Sequence, residues 1–396
     1  MGKIKLDESI NLTSADGGVI SVNELARRDW LYKTGNPYSK VKMAANFLRL
    51  GPMFLVGIGP WLVLITVATG GLDWVIDPYY VTLFFLVFAF MFQMGNINDF
   101  YDRFQDRIAS EHYRGAIASK EGAPLVSRVV SDADYSRMKD VMLIICGFAM
   151  GLVVWHFGYI KGRWIIVFLF IVALLLDIGY SIFRFKGGDF GLLYTFGMPL
   201  WMFLPFFVIL GVDKLTVLFY LLIGVLPAWS HACGKDFKDI EADESTGMRT
   251  IPMRSLNFAK WNTILFAAIP IPLALLFGPL GEPYGLMLVN NWWFTISLIP
   301  VTILAIATII AFRGGPLSVS ARAAGFFGTI MVEFFLLYAF MISVVADEFI
   351  VLSMPIASAV LIVLEFVVVM GLVKNMLVEP VPTPTASKVT VPKATV

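Results

Sequence analysis

The chain has 396 residues, 58% of them hydrophobic and 15% charged, with a mean hydropathy of +0.78 and a formal net charge of +1. That composition excludes a string of soluble domains, and the near-zero charge gives no basis for nucleic-acid binding. The two cysteines, Cys146 and Cys233, sit in or at the edge of apolar runs and exclude a disulfide framework. An integral membrane protein is the class that fits.

In chain order, residues 1–43 are polar and mixed in charge, with no basic-then-apolar secretory pattern, and are expected to form a cytoplasmic N-terminal segment. Ten apolar runs follow, near 46–69, 79–98, 139–159, 164–183, 190–211, 215–234, 258–279, 291–312, 322–345 and 349–373. Each is long enough to cross ~30 Å of hydrocarbon. Lipid satisfies no free backbone groups, so these runs must be helices, and residues 44–374 read as one transmembrane domain. Pro60, Pro199, Pro205, Pro227 and Pro270 lie inside the runs and predict kinks. Residues 375–396, rich in Pro, Thr and Val, read as a disordered tail.

Loops after even-numbered spans share a side with the N-terminus. That side holds 27 of the 30 Lys and Arg, leaving Lys161, Arg163 and Lys214 for the other face. The positive-inside bias therefore places both termini and the even loops in the cytoplasm.

Acidic residues are concentrated as well. Six of 18 Asp fall in two windows: Asn98-Asp99-Phe-Tyr-Asp102-Arg-Phe-Gln-Asp106 after span 2, and Asp236-Phe-Lys-Asp239-Ile-Glu-Ala-Asp243 after span 6. At helical pitch, Asn98, Asp99, Asp102 and Asp106 share a ~100° stripe, and Asp236, Asp239 and Asp243 a ~60° one. Carboxylates stacked at such spacing repel unless a cation offsets them. A hard divalent ion such as Mg²⁺, shared with substrate phosphates, is the natural partner. The alternative is a solvated helix end with Arg103, Arg107, Lys235 and Lys238 interleaved. Two clusters on one membrane face weigh against it.

These windows resemble the NDxxDxxxD and DxxDxxxD motifs of the UbiA superfamily of intramembrane prenyltransferases. Tyr180-Ser181 with Lys186-Gly187 is similar to the family's YS…K-G loop, and Arg49-Leu50-Gly51-Pro52 to its RLxRP opening. The resemblance implies an all-α integral membrane fold, a multi-span helical bundle with a nine-helix core against the ten spans counted here. It also implies a central cavity opening toward the cytoplasmic cap. The implied reaction is Mg²⁺-dependent transfer of an isoprenyl group from an allylic prenyl diphosphate to a lipophilic acceptor, an aromatic compound or quinone precursor, with release of diphosphate.

Carried over by motif position, Asn98, Asp99, Asp102, Asp106, Asp236, Asp239 and Asp243 would hold metal and diphosphate. Asp102, Asp239 and Asp243 would stand nearest the chemistry, with Asp239 or Asp243 positioning the acceptor or taking its proton. Tyr180, Lys186, Arg114, Arg128 and Arg49 would contact substrate. The chain departs from the family at Gly51, where an Arg is expected, and at Ala123–Arg128, which replaces an Arg-Pro-Leu-Pro-Ser-Gly-like stretch. It departs again at Lys235, where a Tyr is common. The second window is more similar to the homogentisate, chlorophyll and archaeal-lipid branches than to the 4-hydroxybenzoate branch.

Other polar residues lie within spans. Asp177, one turn before Tyr180, is a candidate for the site. Glu333 and Glu365 are expected to bond Ser, Thr or backbone across helices, and His231 to line the cavity. Two further functions use the same residues: an intramembrane terpene cyclase, which needs no acceptor, and a cation-coupled transporter. The transporter reading is disfavoured because the acids lie at helix ends, without an inverted repeat.

Overall fold

The computed structural model describes residues 11–13, 19–21, 80–81, 132–185, 191–238, 240, 243–244 and 249–345. Within the N-terminal segment, β1 (Asn11–Thr13) and β2 (Val19–Ser21) form a small antiparallel hairpin, with Leu12 opposite Ile20. The rest of the described chain is helical.

Helix α1 (Asp132–Val153) runs into a π-helical stretch, Val154–Ile160, and turns back through Gly162 into α2 (Trp164–Phe185). After α3 (Gly191–Ile209) comes one composite span. It consists of α4 (Lys214–Phe219), a π segment (Tyr220–Val225), α5 (Leu226–Gly234) and a 3₁₀ turn (Lys235–Lys238). A short α6 (Ile251–Arg254) leads into α7 (Leu256–Ala268) and α8 (Pro270–Phe277). Then follow α9 (Trp292–Ala311), α10 (Val319–Ala323), a π segment (Ala324–Gly328) and α11 (Thr329–Val345).

Seven of these helical stretches are long and apolar enough to cross a membrane, and they coincide with the seven middle spans expected from hydropathy. The runs at 46–69 and 349–373, and nearly all of 79–98, lie outside the described residues. The chain is thus an all-α membrane bundle. Its outer surface is apolar: Ile299, Ile303, Ile306 and Ile310 recur at helical spacing along α9 and are exposed to what would be lipid. Helix α3 is the most enclosed, with 72% of its span buried against 28% for α9, so α3 and the composite span form the centre.

Local chemistry sets the boundaries. Asp213 caps α4, its carboxylate accepting from Thr216 N–H at 2.7 Å and from the Thr216 hydroxyl at 2.8 Å. Gly211, at φ +102°, makes the turn before it, a conformation closed to most side chains. Ser255 and Asn291 cap α7 and α9 in the same way. The prolines act unequally. Pro227 lies two residues past the end of the π segment, and Pro270 coincides with the break between α7 and α8, because each removes an N–H from the helical ladder. Helix α3, by contrast, continues through Pro199 and Pro205. Gly224 lies so close to Pro199 that a Cβ there would come within 2.9 Å of the ring.

Two further contacts fix the bundle. At one end Arg163 donates to the carbonyls of Val208 and Phe207, at 2.7 and 2.8 Å, tying the start of α2 to the last turn of α3. Nearby, Phe203, Phe206, Phe219 and Phe340 form an aromatic core, with Phe219 and Phe340 stacked at 4.4 Å. At the other end the backbones of Gly234 and Gly325 meet. A Cβ on Gly234 would lie 2.6 Å from the Gly325 carbonyl oxygen, and a Cβ on Gly325 would lie 2.6 Å from that of Gly234.

Two predictions test this architecture. Gly234→Ala should lower stability in detergent by about 1–3 kcal/mol, because backbone cannot move aside as a flexible side chain would. Gly147→Ala, on an open helix face, should be neutral or stabilising. Thermal unfolding of the pair decides it. Hydrogen bonds from Thr216, the backbone one first, hold the Asp213 carboxyl below the usual carboxylate range. The stability that cap supplies is therefore complete above the unfolded-state value and is lost as pH falls through the folded one. Asp213→Ala should unfold at lower temperature than wild type near neutral pH, and the gap should close in strong acid.

Candidate active site

The end of the bundle beyond Gly234 gathers the polar side chains. The apolar composite span tightens there into the 3₁₀ turn Lys235–Lys238. The start of the second acidic window thus has three residues per turn instead of the α-helical pitch expected there. The turn is wedged by Phe237, which is fully buried and packs edge-on against Phe312 at 5.4 Å. Lys238 sits over the Phe326 ring at 4.8 Å.

Asp236 and Asp243 are both buried, 3% and 4% exposed. Lys235, also buried, places its Nζ 2.6 Å from Asp236 Oδ1. The same ammonium lies 5.7 Å from the ring centres of both Tyr180 and Tyr194. Those tyrosines, from the end of α2 and the start of α3, are themselves 5.5 Å apart. Among the described residues, the cation is bracketed by the Asp236 carboxylate and two aromatic rings, each of which attracts it.

Behind this group, Tyr194 approaches the His231 ring at 5.6 Å, and His231 approaches Phe326 at 5.6 Å. His231 Nδ1 is 2.8 Å from the Thr329 hydroxyl, which donates to the Gly325 carbonyl at 2.7 Å. A hydroxyl has one proton, so His231 Nδ1 carries the hydrogen of that bond. His231 is buried by this bond, which joins α5 to α11 across the Gly234–Gly325 contact.

Of the residues expected to form the site, Tyr180, Asp236 and Asp243 are described, and the 3₁₀ turn brings Asp236 to Tyr180 through Lys235. Asn98, Asp99, Asp102, Asp106, Arg49, Arg114, Arg128, Lys186 and Asp239 lie outside the described residues, as does Glu365. Among the described residues no three His, Cys, Asp or Glu side chains cluster as a metal cage. The donors that are placed, two buried carboxylates, suit a hard cation, which favours oxygen over sulfur or imidazole.

Asp177 and Ser181, one turn apart on α2 beside Tyr180, are buried, and Asp177 Oδ2 and Ser181 Oγ have no hydrogen-bond partner among the described residues. Glu333 corrects an expectation. Both of its carboxyl oxygens are buried without a hydrogen-bond partner among the described residues, in place of a bond to a neighbouring helix. Three participants were not read from sequence as site residues: Tyr194, Thr329 and Phe326. Lys235 was visible as a departure from a motif and as one of the basic residues interleaved with the acids.

A buried acid–lysine pair beneath two tyrosines, at one end of an apolar helical bundle, defines a membrane protein built to manage charge at the edge of a hydrophobic interior. The family model that matches is the UbiA prenyltransferase family, over residues 58–336. The chain belongs to that family, and it is a membrane prenyltransferase. It is similar to digeranylgeranylglyceryl phosphate synthase of Methanocaldococcus jannaschii, 25% identical over 247 residues, covering 59% of this chain and 77% of the relative. A solved structure from work on digeranylgeranylglyceryl phosphate synthase in membranes superposes with a TM-score of 0.53 at 16% identity. That match covers 78% of this chain and 100% of the other, and it supports the fold.

The His231–Thr329 bond gives a direct test. Thr329→Val keeps the shape but leaves a buried imidazole N–H without its acceptor, and should cost about 1–3 kcal/mol in thermal unfolding. Thr329→Ser should retain most of the stability.

Proposed function

We propose that this chain transfers an isoprenyl group from an allylic prenyl diphosphate to a lipophilic acceptor within the membrane, in a Mg²⁺-dependent reaction that releases diphosphate. The observation that carries it is the burial of Asp236 against Lys235, itself close to Tyr180, with Asp243 of the same window also buried, at one end of an apolar bundle in a UbiA-family chain. Residues 44–374 would form the catalytic domain, with the N-terminus and the acidic windows on the cytoplasmic side.

Asp236, Asp239 and Asp243 from one window, with Asn98, Asp99, Asp102 and Asp106 from the other, would hold the metal. Bound Mg²⁺ supplies neutralisation of the charge that grows on the departing diphosphate. The chain's own cations, Lys186 with Arg114, Arg128 and Arg49, would steady the same charge from the loops and the start of span 1. The tyrosine faces of Tyr180 and Tyr194 can favour positive character in the allylic group as its bond lengthens. The apolar side chains of the bundle keep water from that electrophile. A nucleophilic centre of the acceptor forms the new bond, and Asp239 or Asp243 would take the proton given up. The acceptor would be aromatic or a quinone precursor by the sequence reading, whereas the archaeal relative's name points to a glyceryl phosphate lipid.

The test uses the purified full chain with geranyl, farnesyl and geranylgeranyl diphosphates against both acceptor classes, with mass detection of products. Diphosphate release should require Mg²⁺, stop on chelation, and fall on the order of 100-fold or more in Asp102→Ala and Asp236→Ala. Full activity in both variants would remove this mechanism. A cyclic product formed without acceptor would assign the chain to the cyclases instead.

A further inference from the structure

We infer that Lys235 is the resident counter-cation of Asp236: it competes with the divalent metal for that carboxylate and, on giving it up, serves as a ligand of the diphosphate, so that metal and diphosphate bind cooperatively. The inference rests on the metal-dependent reading above and deepens it.

Asp236 is buried, and a buried carboxylate needs a cation. Lys235 meets that need from the next position along the chain, through Asp236 Oδ1 at 2.6 Å, with the pair's side chains 10% and 4% exposed. An oxygen in such a contact donates to a metal only after the ammonium moves away. The ammonium has somewhere to stay, since Tyr180 and Tyr194 present ring faces to it, each at 5.7 Å. It can therefore remain at the site after leaving the carboxylate, as a positive charge against the two rings. A diphosphate brought to the same end of the bundle is the anion that such a charge would bind. Because the coupling is reciprocal, whatever factor diphosphate adds to metal affinity, metal adds to diphosphate affinity. A hydroxyl or apolar side chain at this position would supply neither half of the exchange.

Mn²⁺ titrated into the full-length protein in detergent, followed by the loss of its free-ion paramagnetic resonance signal, tests the first half without turnover. Lys235→Met should bind Mn²⁺ about tenfold more tightly than wild type, whereas Lys235→Arg should stay within about twofold of it. Inorganic diphosphate, titrated at saturating Mn²⁺, should bind Lys235→Met about tenfold more weakly. Lys235→Gln serves as the second neutral variant if Lys235→Met does not fold, with far-UV circular dichroism as the check. Unchanged or weaker Mn²⁺ binding in the neutral variants overturns the inference, as does tighter Mn²⁺ binding with diphosphate affinity intact. A wild-type protein and variants that all ignore Mn²⁺ would instead reject the metal-dependent reading on which it stands.

Discussion

Two backbones that touch, Gly234 of α5 and Gly325 of the π segment leading into α11, position everything at the polar end of this molecule. Helix axes ordinarily stand 8–10 Å apart because side chains keep them there. Here each glycine's missing Cβ would fall 2.6 Å from the other's carbonyl oxygen. In a lipid environment the hydrophobic effect does not drive helices together, so close contact of this kind is what association can use. Its consequences run along the chain. The residues directly after Gly234 are Lys235 and Asp236, pressed into the bundle instead of trailing into solvent. The residue one turn after Gly325 is Thr329, whose hydroxyl satisfies the Gly325 carbonyl and meets His231. A bulkier pair would move the acid–lysine group away from the two tyrosines.

The spans were legible because a bilayer imposes a length: about 20 apolar residues per crossing leaves little room for error. Helices such as Gly191–Ile209 and Trp292–Ala311 end within two residues of the apolar runs that announce them. The internal pitch of those helices was not legible. The three π segments share the apolar composition of the α-helix around them, and nothing in the Lys-Asp-Phe-Lys string marks the 3₁₀ turn at Lys235–Lys238. What selects them is packing, as at Gly224 against Pro199 and Gly325 against Gly234. Proline gave partial warning. Pro227 and Pro270 mark irregularities, while Pro199 and Pro205 sit in a helix that continues through them without a break, as expected.

The candidate site divides along the same line. Asp236 and Asp243 could be named from local spacing, because acids repeated at helical intervals stand out in a sequence so poor in charge, whereas Tyr180 was named from its similarity to a family loop. Lys235 stood next to them in the same string, yet spacing says nothing of which way a lysine turns. Tyr194, Thr329 and Phe326 come from elements far along the chain, and the His231–Thr329 bond spans 98 positions. Such pairs exist only once the bundle is assembled. Glu333 shows the opposite error. The rule that intramembrane acids find partners is sound on average, but it does not name one. The partner expected on an adjacent helix is not there among the described residues.

Stability alone gives little reason for the Lys235–Asp236 pair. Removing two charges from water is costly, and their mutual attraction at best offsets it, so buried ion pairs can often be exchanged for apolar residues without loss. The opposite end of the bundle shows what this chain does when only stability is at stake. Phe203, Phe206, Phe219 and Phe340 pack against one another there, and a single arginine ties off two carbonyls. A chain able to fill space that way would gain nothing in folding by burying an acid and a base at its other end. Keeping both, in contact with two tyrosines, makes sense where one charge must be handed over and the other kept close by. That is the situation the proposed reaction would create, with a highly charged leaving group at the rim of the bundle and an apolar chain in its core.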